Sequence, residues 1–329
     1  MILQGFLLTK LMHLKMGNFN EFFKVKAGEP LLSGDYMIYP LFNVVNPKTA
    51  YISLDEALQY GPDSFAILEV SDQGTVNHLK VVNNLNSNVL ITDGEQVKGA
   101  KQNRTFNVSI LIRAKNSVII PVSCIEGGRW HYGFSRNFEK FRDLDMPSDI
   151  RSSKLNEVVN NLETKKYWGH KEHLYMSNQS KLWDIIAQKH RRFMTQSKTG
   201  SLTDIIDSIR FRLSGEINKN VKCAEKQTGL IFFNKGNFLG MDYISNEEVF
   251  AKNSESLLRS YFLADLDFVK ENRFEGGDVI EWLLAHVGKI SFKVYPGVDM
   301  GQNWMGKNEI VCSILENEGE IVHMTALPV

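Results

Sequence analysis

Five short segments rich in β-branched residues follow one another between residues 65 and 125, and turn sequences separate them. They cover residues 65–70, 76–82, 89–93, 105–112 and 118–125. Strands this short and this closely spaced are typical of an antiparallel sandwich or a barrel-like sheet. The sequence therefore predicts a β-rich core over residues 31–139, preceded by an N-terminal extension of residues 1–30.

The pattern changes near residue 140, and residues 140–329 mix helices with hairpins. Leu182, Ile185 and Ile186 follow one another at helical spacing, and Ser201 precedes a second segment of this kind. Further helical patterns cover residues 246–266 and 276–287, and hairpin patterns cover residues 229–244 and 309–327. We therefore predict an α+β protein whose C-terminal region packs with the N-terminal core as one unit.

Charge and cysteine content exclude several classes of partner. The 329 residues include 38 basic and 38 acidic residues, so no net charge draws the chain to nucleic acid or to an anionic membrane. Three cysteines are too few for a disulfide framework and are predicted to be free thiols in a reducing compartment. The apolar N-terminal run is interrupted by Lys10, His13 and Lys15, unlike a secretory signal. These features predict a cytoplasmic protein that binds neither membranes nor nucleic acid.

Side-chain parity in the predicted strands brings charged residues to one end of the core. On two neighbouring strands, the even-numbered residues are apolar until Arg104 and Glu126 are reached. A hairpin with Phe106 opposite Cys124 places Arg104 opposite Glu126, and the preceding strand brings Glu95 to the same level. We therefore predict a row of Glu95, Arg104 and Glu126, and registers slipped by two residues keep the same faces.

Two interpretations of this row remain open. An arginine between two carboxylates can be a buried ion cluster that closes the end of the core. Alternatively, the row lines a pocket in which Arg104 binds a carboxylate or phosphate of a ligand, and Glu95 and Glu126 act as general bases or as ligands of a divalent metal. Because a guanidinium lowers the pKa of neighbouring carboxyl groups, a general-acid role is disfavoured.

The segment after this row combines aromatic and cationic side chains. Arg129, Trp130 and Tyr132 follow a pair of glycines, and such surfaces bind nucleotides through base stacking and forked hydrogen bonds to phosphate. The aromatic side chains could equally pack under a loop. Cys124 could be a nucleophile if a base such as His131 lay within reach, or it could be an inert buried thiol.

Two motifs, GEQVKGAKQNR at residues 94–104 and PVSCIEGGRW at residues 121–130, resemble the ARG and rhodanese-phosphatase-superfamily-associated protein domain family. The resemblance extends from about residue 50 to the C-terminus through LDEAL, SKLWDII and EIVHMTAL. The family's association with ADP-ribosylglycohydrolase and rhodanese-phosphatase domains implies a setting in ADP-ribose or NAD-derived metabolism, and the family has no settled reaction. Its signature maps onto Glu95, Gly99, Gln102, Asn103, Arg104, Cys124, Glu126, Arg129 and Trp130.

Two other features are compatible with the binding of a metal ion or of nucleic acid. His170 and His173 have a spacing that metal ligands on a helix can adopt, and the segment 165–192 is locally basic. Both features are also typical of an exposed helical face. No phosphate-binding loop, dinucleotide fingerprint or zinc-protease motif is present in the sequence.

The sequence therefore predicts one of two classes of function. The first is a hydrolytic enzyme acting on an ADP-ribose-like or other phosphorylated nucleotide derivative, with Glu95, Glu126 and Cys124 as the catalytic candidates. The second is a non-catalytic protein that binds such a ligand, or an ADP-ribosylated protein, through the same pocket. In both classes the ligand-binding candidates are Gln102, Asn103, Arg104, Arg129 and Trp130. The sequence specifies no cofactor, and its carboxylates are compatible with a divalent metal.

Overall fold

The computed structural model describes residues 23–133, 135–142, 144–164, 174–208, 222–265 and 273–329. Its strands are β1 (Val25–Ala27), β2 (Leu31–Ser33), β3 (Tyr36–Asn43), β4 (Ile52–Ser53), β5 (Phe65–Glu69), β6 (His78–Asn83), β7 (Val89–Ile91), β8 (Gln96–Gly99), β9 (Arg104–Phe106), β10 (Ile110–Ile112), β11 (Asn116–Cys124), β12 (Phe138–Lys140), β13 (Gln227–Asn234), β14 (Asn237–Ile244), β15 (Lys293–Pro296), β16 (Gln302–Lys307), β17 (Ile310–Asn317) and β18 (Glu320–Pro328). Its helices are α1 (Leu54–Gln59), α2 (Ser148–Thr164), α3 (Gln179–Arg192), α4 (Glu247–Asp265) and α5 (Val279–Val287), and residues 202–208 are also helical.

The N-terminal half contains a nearly closed antiparallel barrel, as the short strands predicted. Six strands follow the order β12-β8-β9-β11-β6-β5, and a three-stranded sheet follows the order β10-β7-β4. Alternate residues of each strand point inward, so Val81, Val97 and Ile120 are completely buried. Side chains from both sheets contribute to one apolar core.

The predicted strand at residues 105–112 is in fact two strands that belong to different sheets. β9 pairs with β11, whereas β10 pairs with β7. The chain crosses between the sheets at Asn107, whose side-chain amide donates to the carbonyl of Tyr175 at 3.0 Å. The pairing of β9 with β11 is slipped by two residues from the predicted hairpin register, which keeps the same faces, and Cys124 lies opposite Arg104.

A nine-stranded antiparallel sheet combines strands from both halves of the chain. Eight strands follow the order β1-β3-β13-β14-β18-β17-β16-β15, and β2 also pairs with β3. The predicted hairpins β13–β14 and β17–β18 turn at Lys235-Gly236 and Glu318-Gly319, where all four residues have positive φ. Two-residue turns of this geometry match the twist of the flanking strands, and glycine adopts it without a steric penalty.

Helices cover both faces of the nine-stranded sheet. Phe232 on β13 stacks on Tyr261 of α4, with 5.1 Å between the ring centroids. The next residue, Phe233, points to the other face and contacts Trp282 of α5 at 5.4 Å. The two faces thus belong to two separate apolar clusters. Within the described residues, no helix is long and apolar enough to cross a membrane.

Local sequence signals position the helix ends. The hydroxyl of Ser53 accepts from the backbone N–H of Glu56 at 3.2 Å, and the Glu56 carboxylate accepts from the backbone N–H of Ser53 at 3.0 Å. This capping box begins α1, whose first turn is acidic. The predicted N-terminal segment up to residue 22, and His170 and His173 with the first part of the basic segment, lie outside the described residues.

Candidate functional site

The two sequence motifs meet at one end of the barrel. Because Arg104 lies opposite Cys124, the residues that precede β9 and follow β11 emerge side by side. The backbone N–H of Ile125 donates to the carbonyl of Asn103 at 3.1 Å, and this hydrogen bond holds the two segments next to each other. The resulting group, called the motif cluster below, consists of Glu69, Lys101, Gln102, Asn103, Arg104, Cys124, Glu126, Arg129 and Trp130.

Arg104 occupies the centre of the motif cluster and is completely buried. Its Nη1 donates to Gln102 Oε1 at 3.1 Å, and its Nη2 lies 3.8 Å from a carboxylate oxygen of Glu69. Its Nε has no hydrogen-bond partner within the described residues. Burial lowers the pKa of Arg104, but a guanidinium remains protonated in proteins. Arg104 is therefore a buried cation whose Nε–H is unpaired.

Glu126 is held by Arg129 and not by Arg104. The Nε and Nη2 of Arg129 donate to the Glu126 carboxylate at 3.1 and 2.8 Å, and the backbone N–H of Asn103 donates at 3.0 Å. Burial acts to raise the pKa of Glu126, but these hydrogen bonds outweigh it and keep the pKa below its ordinary value. Glu126 is thus an ionised carboxylate whose lone pairs are occupied by the protein.

Cys124 lies against the Arg104 guanidinium but remains a thiol. Its side chain is buried, and its Sγ donates to the carbonyl of Val76 at 3.4 Å. Burial raises the pKa of Cys124 to about 12, although the charge of Arg104 acts in the opposite direction. A nucleophilic cysteine requires a thiolate, so this environment does not prepare Cys124 for attack. The three cysteines are free, as predicted.

Glu95 does not join the motif cluster, and the predicted row of Glu95, Arg104 and Glu126 is wrong. A carboxylate oxygen of Glu95 lies 2.5 Å from Nζ of Lys140, and the other accepts from the backbone N–H of Thr92 at 2.7 Å. Lys140 comes from β12, which pairs with the far side of β8. The ion pair therefore draws Glu95 towards β12 and away from Arg104.

Trp130 closes the motif cluster on the outside, and 42% of its surface is exposed. The guanidinium carbon of Arg104 lies 5.6 Å from the Trp130 ring centroid, and Nζ of Lys101 lies at the same distance. Lys101 also lies 5.1 Å from the ring of Tyr132, which Arg136 approaches to 4.9 Å on the exposed surface. Aromatic rings and cations thus alternate across this surface.

The charges of the motif cluster do not cancel. Its cations are Lys101, Arg104 and Arg129, and its carboxylates are Glu69 and Glu126, which leaves one positive charge in excess. An anionic group would balance this charge, whereas a metal ion would increase it. The arrangement can therefore accept a phosphate or carboxylate at its surface.

Glu69 is a member of the cluster that the motifs missed. It ends β5, where Phe65, Ile67 and Glu69 share one face and the first two are buried in the core. The same change from apolar to charged residues identified Arg104 at the end of its strand. The alternation of side chains along β5 would therefore have placed Glu69 at the same end of the core as Arg104.

A second group of buried charges, called the Arg151 cluster, joins α2 to the nine-stranded sheet and to the turn between β7 and β8. Arg151 Nε donates to Asp93 at 3.0 Å, and its Nη2 bonds Asp242 and Thr325. Asp93, Asp242 and His323 have ligand atoms within 4.8 Å of one another. The Arg151 guanidinium, however, already bridges both carboxylates, so these residues fit a buried ion network better than a metal site. None of the long-range partners was predicted.

A family profile for the ARG and Rhodanese-Phosphatase-superfamily-associated Protein domain, ARPP-1, matches residues 24–327. The chain belongs to the ARPP-1 family. This confirms the resemblance seen in the two motifs, and the ARPP-1 match begins earlier than the motif-based match at about residue 50. No curated protein and no solved structure matches the chain.

Proposed function

We propose that this ARPP-1 domain is a non-catalytic protein of the cytoplasm that binds a phosphorylated, nucleotide-like ligand of the ADP-ribose class, free or attached to a protein. The proposal depends on one observation: Lys101 and Arg104 lie within 5.6 Å of the centroid of the partly exposed Trp130 ring, in a cluster with one excess positive charge. A base can stack on such a ring while its phosphates meet the cations.

The position of each cation supports a role in phosphate binding. Lys101 donates from Nζ to the carbonyl of Gln73 at 3.0 Å, and its other two N–H groups have no hydrogen-bond partner among the described residues. Arg104 lies 5.6 Å from the ring centroid and is completely buried, so it contributes its positive charge to this surface and not a hydrogen bond to the phosphate. A phosphate at the edge of Trp130 would gain charge-assisted hydrogen bonds, which are about twice as strong as neutral ones.

The alternative proposal is the hydrolytic enzyme. It would need a nucleophile or a general base, yet Cys124 is a thiol of raised pKa and Glu126 is bound by Arg129. Glu95 is completely buried and paired with Lys140. These partners favour binding over hydrolysis. The name of the ARPP-1 family supports ADP-ribose as the first ligand to test in both cases.

Calorimetric titration with ADP-ribose, ADP, adenosine and inorganic phosphate tests the proposal. We expect ADP-ribose and ADP to bind more tightly than either fragment, and Trp130→Ala to weaken ADP-ribose binding by about 5- to 150-fold, because base–aromatic stacking contributes about 1–3 kcal/mol. Tyr60→Ala is the matched control, since Tyr60 is an aromatic residue of 64% exposure outside the cluster.

Chromatography of the incubated ligand separates the two proposals. If ADP-ribose is recovered intact and Trp130→Ala no longer binds it, the result supports a non-catalytic binding protein. Release of ribose phosphate, AMP or free ADP-ribose from a modified protein would instead establish an enzyme. If the protein binds none of these ligands, or if Trp130→Ala binds ADP-ribose as tightly as the parent, the proposed binding site is wrong.

A further inference from the structure

Three side chains of complementary chemistry meet between the barrel and α4. Lys140 of β12 lies opposite Val97 of β8, and Glu95 precedes Val97 by two residues, so the side chains of Lys140 and Glu95 lie on the same face. The Lys140 Nζ lies 2.5 Å from a carboxylate oxygen of Glu95, and it donates to Oδ1 of Asn253 on α4 at 2.8 Å. An amine, a carboxylate and a carboxamide are thus in direct contact.

These three residues, called the Lys140 site below, are closed to water. The exposed fractions are 7% for Lys140, 0% for Glu95 and 2% for Asn253. The Oδ1 of Asn253 accepts from Lys140, but its Nδ2 has no hydrogen-bond partner in the described part of the chain. Buried amides usually have both ends bonded. In Asn253, therefore, no hydrogen bond opposes the departure of the amino group.

A second carboxylate lies near the same lysine. Asp145 is buried, and Ser256, one helical turn after Asn253, donates to its Oδ2 at 3.1 Å. Burial raises the pKa of Asp145 to about 7, against the charge of Lys140 and together with that of Glu95. Two like charges buried near one lysine disfavour ionisation of both carboxyl groups. The Lys140 site is therefore suited to keep a proton on a carboxyl group.

We propose that Lys140 and Asn253 join through an intramolecular isopeptide bond, with Glu95 as the base. The Lys140 ammonium transfers one proton to the Glu95 carboxylate, and the amine that results attacks Cγ of Asn253. A second proton passes from Nζ to Nδ2, the Cγ–Nδ2 bond breaks, and ammonia leaves. The new Nζ–Cγ amide bond ties β12 to α4, Glu95 remains protonated, and no oxidant or co-reactant is consumed.

The contacts bring the reacting atoms close to attack distance. Because a C=O bond is about 1.2 Å long, the 2.8 Å between Lys140 Nζ and Asn253 Oδ1 places Nζ at most about 4.0 Å from Cγ. Reacting atoms in a near-attack geometry lie about 3–3.5 Å apart, so a small movement suffices. Holding both groups in one fold also replaces a bimolecular encounter by an intramolecular one.

The ion pair with Glu95 supplies the activation that a lysine needs. Burial lowers the pKa of Lys140, but the charges of Glu95 and Asp145 outweigh this effect and raise the pKa. The amine is therefore formed by proton transfer to Glu95 at contact distance, and not by loss of a proton to water. Cys124 lacks such a base, because its Sγ donates to a backbone carbonyl.

The mass of the purified full-length protein tests this inference. We expect the denatured protein to be lighter than its sequence by one molecule of ammonia. Because an acylated Lys140 resists trypsin, residues 137–142 should be recovered linked to residues 253–259. A mass equal to that of the sequence, or recovery of residues 253–259 entirely as an unlinked peptide, would overturn the proposal.

Three variants isolate the roles of the amine and the base, and circular dichroism checks that each is folded. Lys140→Arg keeps the ion pair but offers no amine, so it should lose no ammonia. Glu95→Gln keeps the shape of the side chain but removes the base, so it should also keep the full mass. Glu139→Gln, at the exposed neighbour of Lys140, should become linked as the parent does. A link that persists in Glu95→Gln would exclude Glu95 as the base.

Lys307 provides an internal comparison in the same digest. Its Nζ donates to Oδ1 of Asn156 and of Asn160 at 2.6 Å, with no carboxylate partner among the residues that the structure describes. We therefore expect Lys307 to stay unlinked. A link between Lys307 and either asparagine would show that contact alone is sufficient, which contradicts the role given to Glu95.

Discussion

Arg151→Met is expected to destabilise the protein by about 3–5 kcal/mol, the cost of removing one partner from a buried ion pair. Arg151 is completely buried, and it bridges Asp93 and Asp242, whose side chains are about equally inaccessible. The substitution leaves both carboxylates without their guanidinium. Unfolding entropy of about 2.1 cal/mol/K per residue makes 1 kcal/mol worth about 1.4 °C in a chain of 329 residues. The expected fall in Tm is therefore about 4–7 °C.

Thermal unfolding followed by circular dichroism at pH 7 measures this fall. Lys181→Met is the control, because Lys181 is an exposed cation paired with Glu157, and exposed pairs contribute only about 0.2–1 kcal/mol. Adding Asp242→Asn to Arg151→Met should restore part of the lost stability, since it removes one unpaired carboxylate. A Tm of Arg151→Met within 1 °C of the parent would refute the assignment of this cluster as an essential ion network.

Two further predictions concern ionisation in the core. Burial lowers the pKa of Lys154 to about 7 from 10.5, so between these pH values the unfolded chain holds a proton that the folded chain has lost. Stability should therefore rise with pH across this window, and Tm measured against pH should show this rise. Lys154→Met should flatten it. If the slope of Tm against pH is the same in Lys154→Met, Lys154 is not the group responsible. The second concerns thiol reactivity: the buried Cys124, with a pKa of about 12, should react with iodoacetamide far more slowly than the partly exposed Cys223. Peptide mass spectrometry identifies the labelled residue, and rapid labelling of Cys124 would favour a catalytic thiol.

Features set by neighbouring residues could be predicted from the sequence. The capping box of Ser53 and Glu56 is complete within four residues, and the turn at Lys235-Gly236 needs only the twist of its own two strands. The position of Arg104 in the motif cluster could be predicted because it depends only on the alternation of side chains along its own strand. Parity assigns Arg104 to the core face whichever register the strands adopt.

Features that depend on register or on distant segments could not be predicted. The position of Glu95 depends on Lys140, whose strand joins the sheet only through β8. The register of β9 on β11 is one of several that keep the same faces, and the chain leaves this sheet after Phe106 to pair with β7. Arg151 and Asp242 are 91 residues apart, and nothing in the local sequence of either residue indicates the other. Parity gives the face of a side chain but not its partner.

The order of the nine-stranded sheet has a consequence for synthesis on the ribosome. β3 ends at Asn43, and its partner β13 begins at Gln227, so more than 180 residues must be translated before the two strands can pair. At about 5–20 residues per second this takes roughly 10–40 s. During that time β3 can pair only with β1 and β2, and Ile38 and Leu41, which are destined for burial, lack the rest of their sheet. The nascent chain is therefore expected to need shielding by a chaperone until its C-terminal strands emerge.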